Sequence, residues 1–113
     1  MGLALKAFVD VIRTVAHGSI TNSYVALGAT FTHQTRMMRI INNTDGDMLF
    51  STNASDNMLF VPAGSFVLYD VATNREKAAD TFVFAAGTII YIKYNTSPSK
   101  GDVWLECIYG EGE

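Results

Sequence analysis

From about residue 11 onward the chain consists of short runs of β-branched and aromatic residues, broken by turn residues every eight to twelve positions. That rhythm points to antiparallel strands in a sandwich or barrel. The runs are Val11 to Ile20, Ser23 to Thr32, Met37 to Asn42, Met48 to Thr52, Met58 to Val61, Phe66 to Val71, Thr81 to Phe84, Thr88 to Tyr94 and Asp102 to Tyr109. They predict eight or nine strands. In the last of them Val103, Leu105, Cys107 and Tyr109 alternate with Trp104, Glu106 and Ile108, the period of a strand with two different faces. Phe66 to Val71 reads instead as a continuous apolar strand interrupted only by Asp70, so both of its faces are expected to be covered, by the second sheet or by a neighbouring subunit.

An internal echo suggests how the strands are arranged. Pro62-Ala63-Gly64-Ser65 and Ala85-Ala86-Gly87-Thr88 are both corners followed by an apolar run that ends near a tyrosine. Equivalent bends recurring on two sheets suit a jelly roll, which is preferred to an immunoglobulin-like sandwich because the Cys, Trp, Cys spacing of antibody domains is missing. Asp45-Gly46 has the composition of a type I′ hairpin turn. Ala72 to Ala79 is expected to be a loop or a single helical turn.

Residues 1–10 form a separate attachment segment ahead of a β-sandwich domain at 11–113. Leu5, Phe8, Val9 and Ile12 fall at i, i+3, i+4 and i+7, which allows a short helix. The alternative is an extended arm that buries Leu3, Leu5 and Phe8 against another copy. The segment has no cationic start or sustained apolar middle, so it is not expected to act as a secretory signal, and the chain is expected to be made in a cytosol.

Hydrophobic residues make up 49% of the sequence and charged residues 17%, below the roughly 25% typical of soluble domains. No apolar run reaches the ~18 to 20 residues of a membrane span, so a partner chain is the expected cover for the excess apolar surface. The net charge of −3 is spread without blocks, which argues against nucleic acid as a partner. Arg36 and Arg39 are the nearest approach to a basic cluster, and with Arg13, Lys6 and Lys100 they are expected to be solvated or interface charges.

Catalytic and metal-binding patterns are not evident. His17 and His33 lie in different segments without the paired spacing of a metal-binding jelly roll. Asp45, Asp47 and Asp56 could supply oxygen ligands to calcium, but Asp and Asn are also the ordinary residues of tight turns. The serines lack a nucleophile-elbow pattern, and Glu106 is the only glutamate within an expected strand. Tyr24, Tyr69, Tyr91, Tyr94 and Trp104 could line a sugar-binding platform, with core or interface packing as the commoner use. Cys107 is expected to be a buried free thiol. These residues predict a non-enzymatic chain without cofactor or metal.

Two runs carry a resemblance: Ile12-Arg13-Thr14-Val15-Ala16-His17-Gly18-Ser19-Ile20, and Ile40-Ile41-Asn42-Asn43-Thr44-Asp45-Gly46-Asp47-Met48-Leu49-Phe50-Ser51. With Val61 to Asp70 and Gly87 to Lys93, the chain resembles small virion structural proteins of tailed bacteriophages. The resemblance implies a β-sandwich that assembles on the particle as a capsid decoration (cement) protein, or as a neck or tail component. Its implied partners are other copies of itself, with a trimer favoured, and the major capsid protein or neck and tail proteins. Candidate interface residues are Leu3, Leu5, Phe8, Val9, Arg36 and Arg39. A carbohydrate- or receptor-binding module is the alternative from another class.

Overall fold

The computed structural model describes residues 6–70 and 84–111, and among these nine strands form two antiparallel sheets. In chain order the strands are β1 (Lys6–Val9), β2 (Arg13–Ala16), β3 (Val25–Ala26), β4 (Thr35–Thr44), β5 (Met48–Ser51), β6 (Leu59–Val61), β7 (Phe66–Asp70), β8 (Tyr91–Tyr94) and β9 (Gly101–Glu111). A 3-10 turn at His17–Ser19 follows β2, and no α-helix occurs among the described residues. The all-β class and the two-sheet arrangement therefore hold. Leu3 and Leu5, the 72–79 segment, and most of the expected strand at 81–84 lie outside the described residues.

The first sheet is organised on β9, which pairs with β4 along one edge from Gly101 to Tyr109. Its other edge carries β2 against 102–105 and β1 against 108–111, and β7 lies beyond β4. Between Val9 and Arg13 the chain advances four residues while β9 advances three, from Ile108 to Leu105, so β1 and β2 form one edge strand interrupted by a bulge. The Asp10 amide donates to the Cys107 carbonyl at 2.9 Å and keeps the two halves on the same ladder. Lys6–Val9 is thus a strand and not the helix its apolar spacing allowed, because β9 outruns β2 and offers unpaired backbone groups there.

The second sheet has the order β3-β8-β5-β6. The expected strands 23–32 and 88–94 do lie together, but their regular parts are short. The Leu27 amide donates to Ile90 at 2.7 Å, Phe31 to Thr88 at 2.8 Å, and Gly87 to Phe31 at 2.7 Å, an irregular continuation of the β3–β8 ladder. Met38, Ile40, Val103, Leu105 and Cys107 of the first sheet pack against Met48, Phe50, Val61, Ile90 and Ile92 of the second, all buried. Each of the large side chains contributes roughly 1.5–3 kcal/mol by leaving water.

Apart from β1–β2 and β5–β6, successive strands lie in different sheets. This corrects the reading of Asp45-Gly46 as a hairpin. β4 pairs with β7 and β9, β5 pairs with β6 and β8, and the turn carries the chain from one sheet to the other. Gly46 is not among the residues with positive φ, so a type I′ turn is ruled out. Its glycine is needed for space, because a Cβ there would run into the Thr96 carbonyl oxygen. The two echoed corners do share a geometry. Ser65 N–H donates to Pro62 and Thr88 N–H to Ala85, with Gly64 at φ 72° and Gly87 at φ 94°, the i→i+3 bond and positive φ of a type II turn.

The sheet-crossing turn is held from the far loop. The Asp45 carboxylate accepts from the Ser99 hydroxyl and, at 2.7 Å, from the Ser99 amide, and these bonds lower its pKa from 3.8 to about 2. A carboxylate with a depressed folded pKa adds stability that is present above its unfolded value and lost as pH falls through its folded one. Ser99→Ala is therefore expected to raise the Asp45 pKa toward 3.8, the amide bond limiting the rise, and to destabilise the fold near neutrality. The deficit should close as pH falls toward 2. Carboxyl titration by NMR checks the first point, and an unmoved Asp45 pKa would contradict it.

Candidate functional site

Side chains directly opposite one another on paired strands share a face, so the register identifies what the first sheet shows on its outer side. Val103, Leu105 and Cys107 are buried, leaving Trp104, Glu106 and Ile108 outward on β9. Opposite these on β4 stand Ile41, Arg39 and Met37. Ile41 and Arg39 in turn face Phe66 and Leu68 on β7. On the other edge Val9 lies opposite Ile108 and Thr14 opposite Trp104. The result is a face four strands wide, apolar at its centre around one charged pair, with Asp70 opposite Met37 and Asp102 opposite Asn43 at its margins. Phe66 is 60% exposed, Leu68 55% and Val9 80%, more than a settled core margin would leave open.

The charged pair is Arg39 and Glu106. Arg39 Nε donates to Glu106 Oε1 at 2.6 Å and Nη2 reaches the same oxygen at 2.5 Å, while the guanidinium stands 5.9 Å from the centre of the Phe66 ring. Both side chains keep access to water, so the pair adds little to folding, about 0–1 kcal/mol. Its larger effect is to cancel charge at the centre of the face. A shallow groove of about 230 Å³ runs over it, lined by Met37, Met38, Arg39, Phe66, Leu68, Glu106 and Ile108.

Of the residues expected at an interface, this face brings together Val9 and Arg39. Phe8 belongs to the opposite side of its strand, where it pairs with Tyr109 and stacks on its ring at 5.4 Å between centroids. Arg36 is the extra residue of a bulge, since β4 advances two residues from Thr35 to Met37 while β9 advances one. Leu3 and Leu5 lie outside the described residues. Sequence reasoning did not name Met37, Phe66, Leu68 and Ile108 among the candidate interface residues, and considered Trp104 only for a sugar platform, with core or interface packing as its commoner use. The signal for two of them was present in the unbroken apolar run of β7.

The other candidates do not converge on a site. His17 Nδ1 lies 3.1 Å from the Gly101 carbonyl, and His33 stacks flat on Tyr109 at 3.7 Å. Asp47 accepts from the Ala63 amide at 3.0 Å and Asp56 from Asn53 Nδ2 at 2.8 Å, so their carboxylates serve turns. Among the described residues no group of three or more His, Cys, Asp or Glu could hold a metal ion. Cys107 is buried, which pushes its thiol up to about 11 although the Arg13 charge opposes the shift. The five aromatics considered as a sugar platform are divided. Tyr69 and Tyr94 pack on the core, Trp104 lies on the first sheet's outer face, and Lys93 sits over the Tyr24 ring at 4.8 Å beside the second sheet.

Arg13 corrects the expectation of a solvated or interface charge. It is 8% exposed, and its guanidinium donates to the carbonyls of Ala29 (2.8 Å), Thr30 and Val11 (both 3.3 Å) and pairs with Asp10 at 3.3 Å. It is a structural residue that ties β2 to the segment after β3.

No protein-family model matches the chain, and comparisons with curated proteins and with solved structures give no match. The functional reading therefore stands on the surfaces described above.

Proposed function

We propose that this chain is a non-enzymatic structural subunit of a tailed-bacteriophage particle, a decoration or cement protein that binds the capsid shell as an oligomer, with a neck or tail position as the alternative. The observation that supports this reading is the outer face of the first sheet, where Phe66, Leu68 and Val9 stand exposed around a self-neutralised ion pair. Contiguous apolar surface of this kind marks interaction sites, and small contacts repeated by symmetry add up through avidity. The strand order supports the finer fold reading. β2-β9-β4-β7 against β3-β8-β5-β6, with almost every connection crossing between sheets, is the order of an eight-stranded jelly roll, to which β1 adds a continuation of the edge. Jelly rolls recur in viral capsids, although a fold by itself does not assign a function.

The test is incorporation. Particles of the phage that encodes the chain should contain it in many copies, countable by quantitative mass spectrometry. Leu68→Asp places a charge in the apolar face and should reduce that copy number by roughly tenfold or more, as expected for loss of a central contact. Its melting temperature should stay close to that of the unaltered chain, because the side chain is already 55% exposed. A chain absent from particles, or an undiminished copy number for the variant, would overturn the proposal.

A further inference from the structure

We infer that the first partner of this face is a second copy of the same chain, packed face to face about a two-fold axis passing close to the Arg39–Glu106 pair. The inference rests on the reading of the face as an assembly surface and names what covers it.

Charge and hydrogen-bond complementarity at the centre of the face select a second copy. Both bonds from Arg39, through Nε and Nη2, end on the same oxygen, Glu106 Oε1. Glu106 Oε2 and Arg39 Nη1 have no partner among the described residues, and in the open face water can serve them. An interface that excludes water has to supply both a donor and an acceptor at this point, because a buried charge with unmet bonds is strongly unfavourable. A purely apolar partner supplies neither. An acidic or basic partner surface meets one charge and opposes the other. A copy turned by a two-fold axis brings its Arg39 to the open oxygen of Glu106 and its Glu106 to the open amino group of Arg39, giving four alternating charges that sum to zero. The same rotation exchanges β9 with β4, laying Trp104 and Ile108 of one copy on Ile41 and Met37 of the other, so the apolar centre of the face is self-complementary as well.

Size sets the strength. Four strands at ~4.8 Å spacing make a face about 20 Å wide, and the three outward rows with their side chains extend it about as far along the strands. Two such footprints bury on the order of 800–1,200 Å², the lower end for specific interfaces, so the dimer should be reversible at roughly micromolar concentration. A self-complementary face favours two copies over the three that the phage resemblance suggests.

Sedimentation of the full chain over a concentration series tests this. The unaltered chain should pass reversibly from 12.3 kDa monomer to a species of twice that mass. Arg39→Glu and Glu106→Arg should each weaken self-association by roughly tenfold or more, as removal of close interfacial charge pairs does. An equimolar mixture of the two variants should associate again, because the face with two acids meets the face with two bases. The double variant should also dimerise. Thermal melts of both single variants confirm that they are folded, and Leu68→Glu gives an independent way to disrupt the face if either is not. A monomer at all concentrations, a mass of three chains, or a mixture that stays monomeric would overturn the inference. Failure here with normal incorporation into particles leaves the particle reading standing, whereas a dimer never found in particles removes that reading and keeps this one.

Discussion

Asn42→Asp is expected to destabilise the domain by several kcal/mol at pH 7, on the order of 3–5, although it exchanges only an amino group for an oxygen. Asn42 is completely buried and has a partner for each end of its amide. Nδ2 lies 2.9 Å from the Gly46 carbonyl, 3.0 Å from Val61 and 3.2 Å from Pro62, while Oδ1 accepts from the Thr44 amide at 3.1 Å and the Thr44 hydroxyl at 2.6 Å. One side chain thus joins two of the places where the chain changes sheet, the turn after β4 and the corner after β6. A carboxylate there would face three carbonyl oxygens without a donor. Its pKa in the folded state would rise, so the penalty should be small below the ordinary value of about 3.9 and grow as pH rises toward the elevated value. Asn42→Ala loses the same bonds, about 2–3 kcal/mol, without that pH dependence. Urea unfolding of both variants against the unaltered chain at pH 4.5 and pH 7 separates them. A loss below about 1 kcal/mol for either variant, or an Asn42→Asp deficit independent of pH, would show that the amide is not the clamp described.

What could be read from the sequence was whatever depends on neighbours along the chain. The two-residue alternation in β9 foretold its buried and outward sides, and the Ala-Gly corners foretold two matching turns, since positive φ after alanine is a local property. Asp45-Gly46 misled because the same dipeptide serves a hairpin by its dihedral freedom and a sheet-crossing turn by its small size. Only the position of the Thr96 carbonyl decides between them. The spacing of Leu5, Phe8, Val9 and Ile12 misled for a similar reason. An apolar helix face is worth little without something to pack on, and the edge of β9, about a hundred residues away, offers Lys6–Val9 a ladder instead. The candidate face was half legible. The apolar run Phe66 to Tyr69 in β7 announced that both sides needed cover, but that Val67 and Tyr69 turn inward while Phe66 and Leu68 stay out is set by the register with β4.

The outer face of the first sheet leaves more apolar surface open at its centre than folding alone requires. In an antiparallel sandwich only one side of each sheet is buried by folding, and the other is usually polar. Here the outward residues at the centre of three adjacent strands are mostly apolar, and the two charges among them, Arg39 and Glu106, are paired with each other, while Asp70 and Asp102 stand at the ends. Neither feature improves the isolated fold to any great extent. Both reduce the cost of bringing this face out of water.

Arg13→Ala should cost about 3–5 kcal/mol, the range for removing one partner of a buried ion pair, and for a reason that concerns the groups left behind more than the arginine itself. The guanidinium fills the space between the β1–β2 bulge and the segment after β3. It bonds Ala29, Thr30 and Val11 carbonyls, pairs with Asp10, and lies 4.9 Å above the Phe31 ring. The backbone has been cut to fit the stem as well, since a Cβ on Gly28 would stand 2.7 Å from the Arg13 Cβ. Truncation leaves Asp10 without its cation and three carbonyls without their donor. Arg13→Lys keeps the charge but has one nitrogen to serve acceptors spread in several directions, and should recover less than half of the loss. Adding Asp10→Asn to Arg13→Ala should recover part of the loss, because the unpaired carboxylate is then gone. Chemical denaturation of the unaltered chain, Arg13→Ala, Asp10→Asn and the double variant, analysed as a double-mutant cycle, measures the coupling, with Arg13→Lys unfolded alongside them. If the two changes add without coupling, or if lysine restores full stability, Arg13 acts through bulk or charge alone, and the directed bonding that holds β2 against the segment after β3 is refuted.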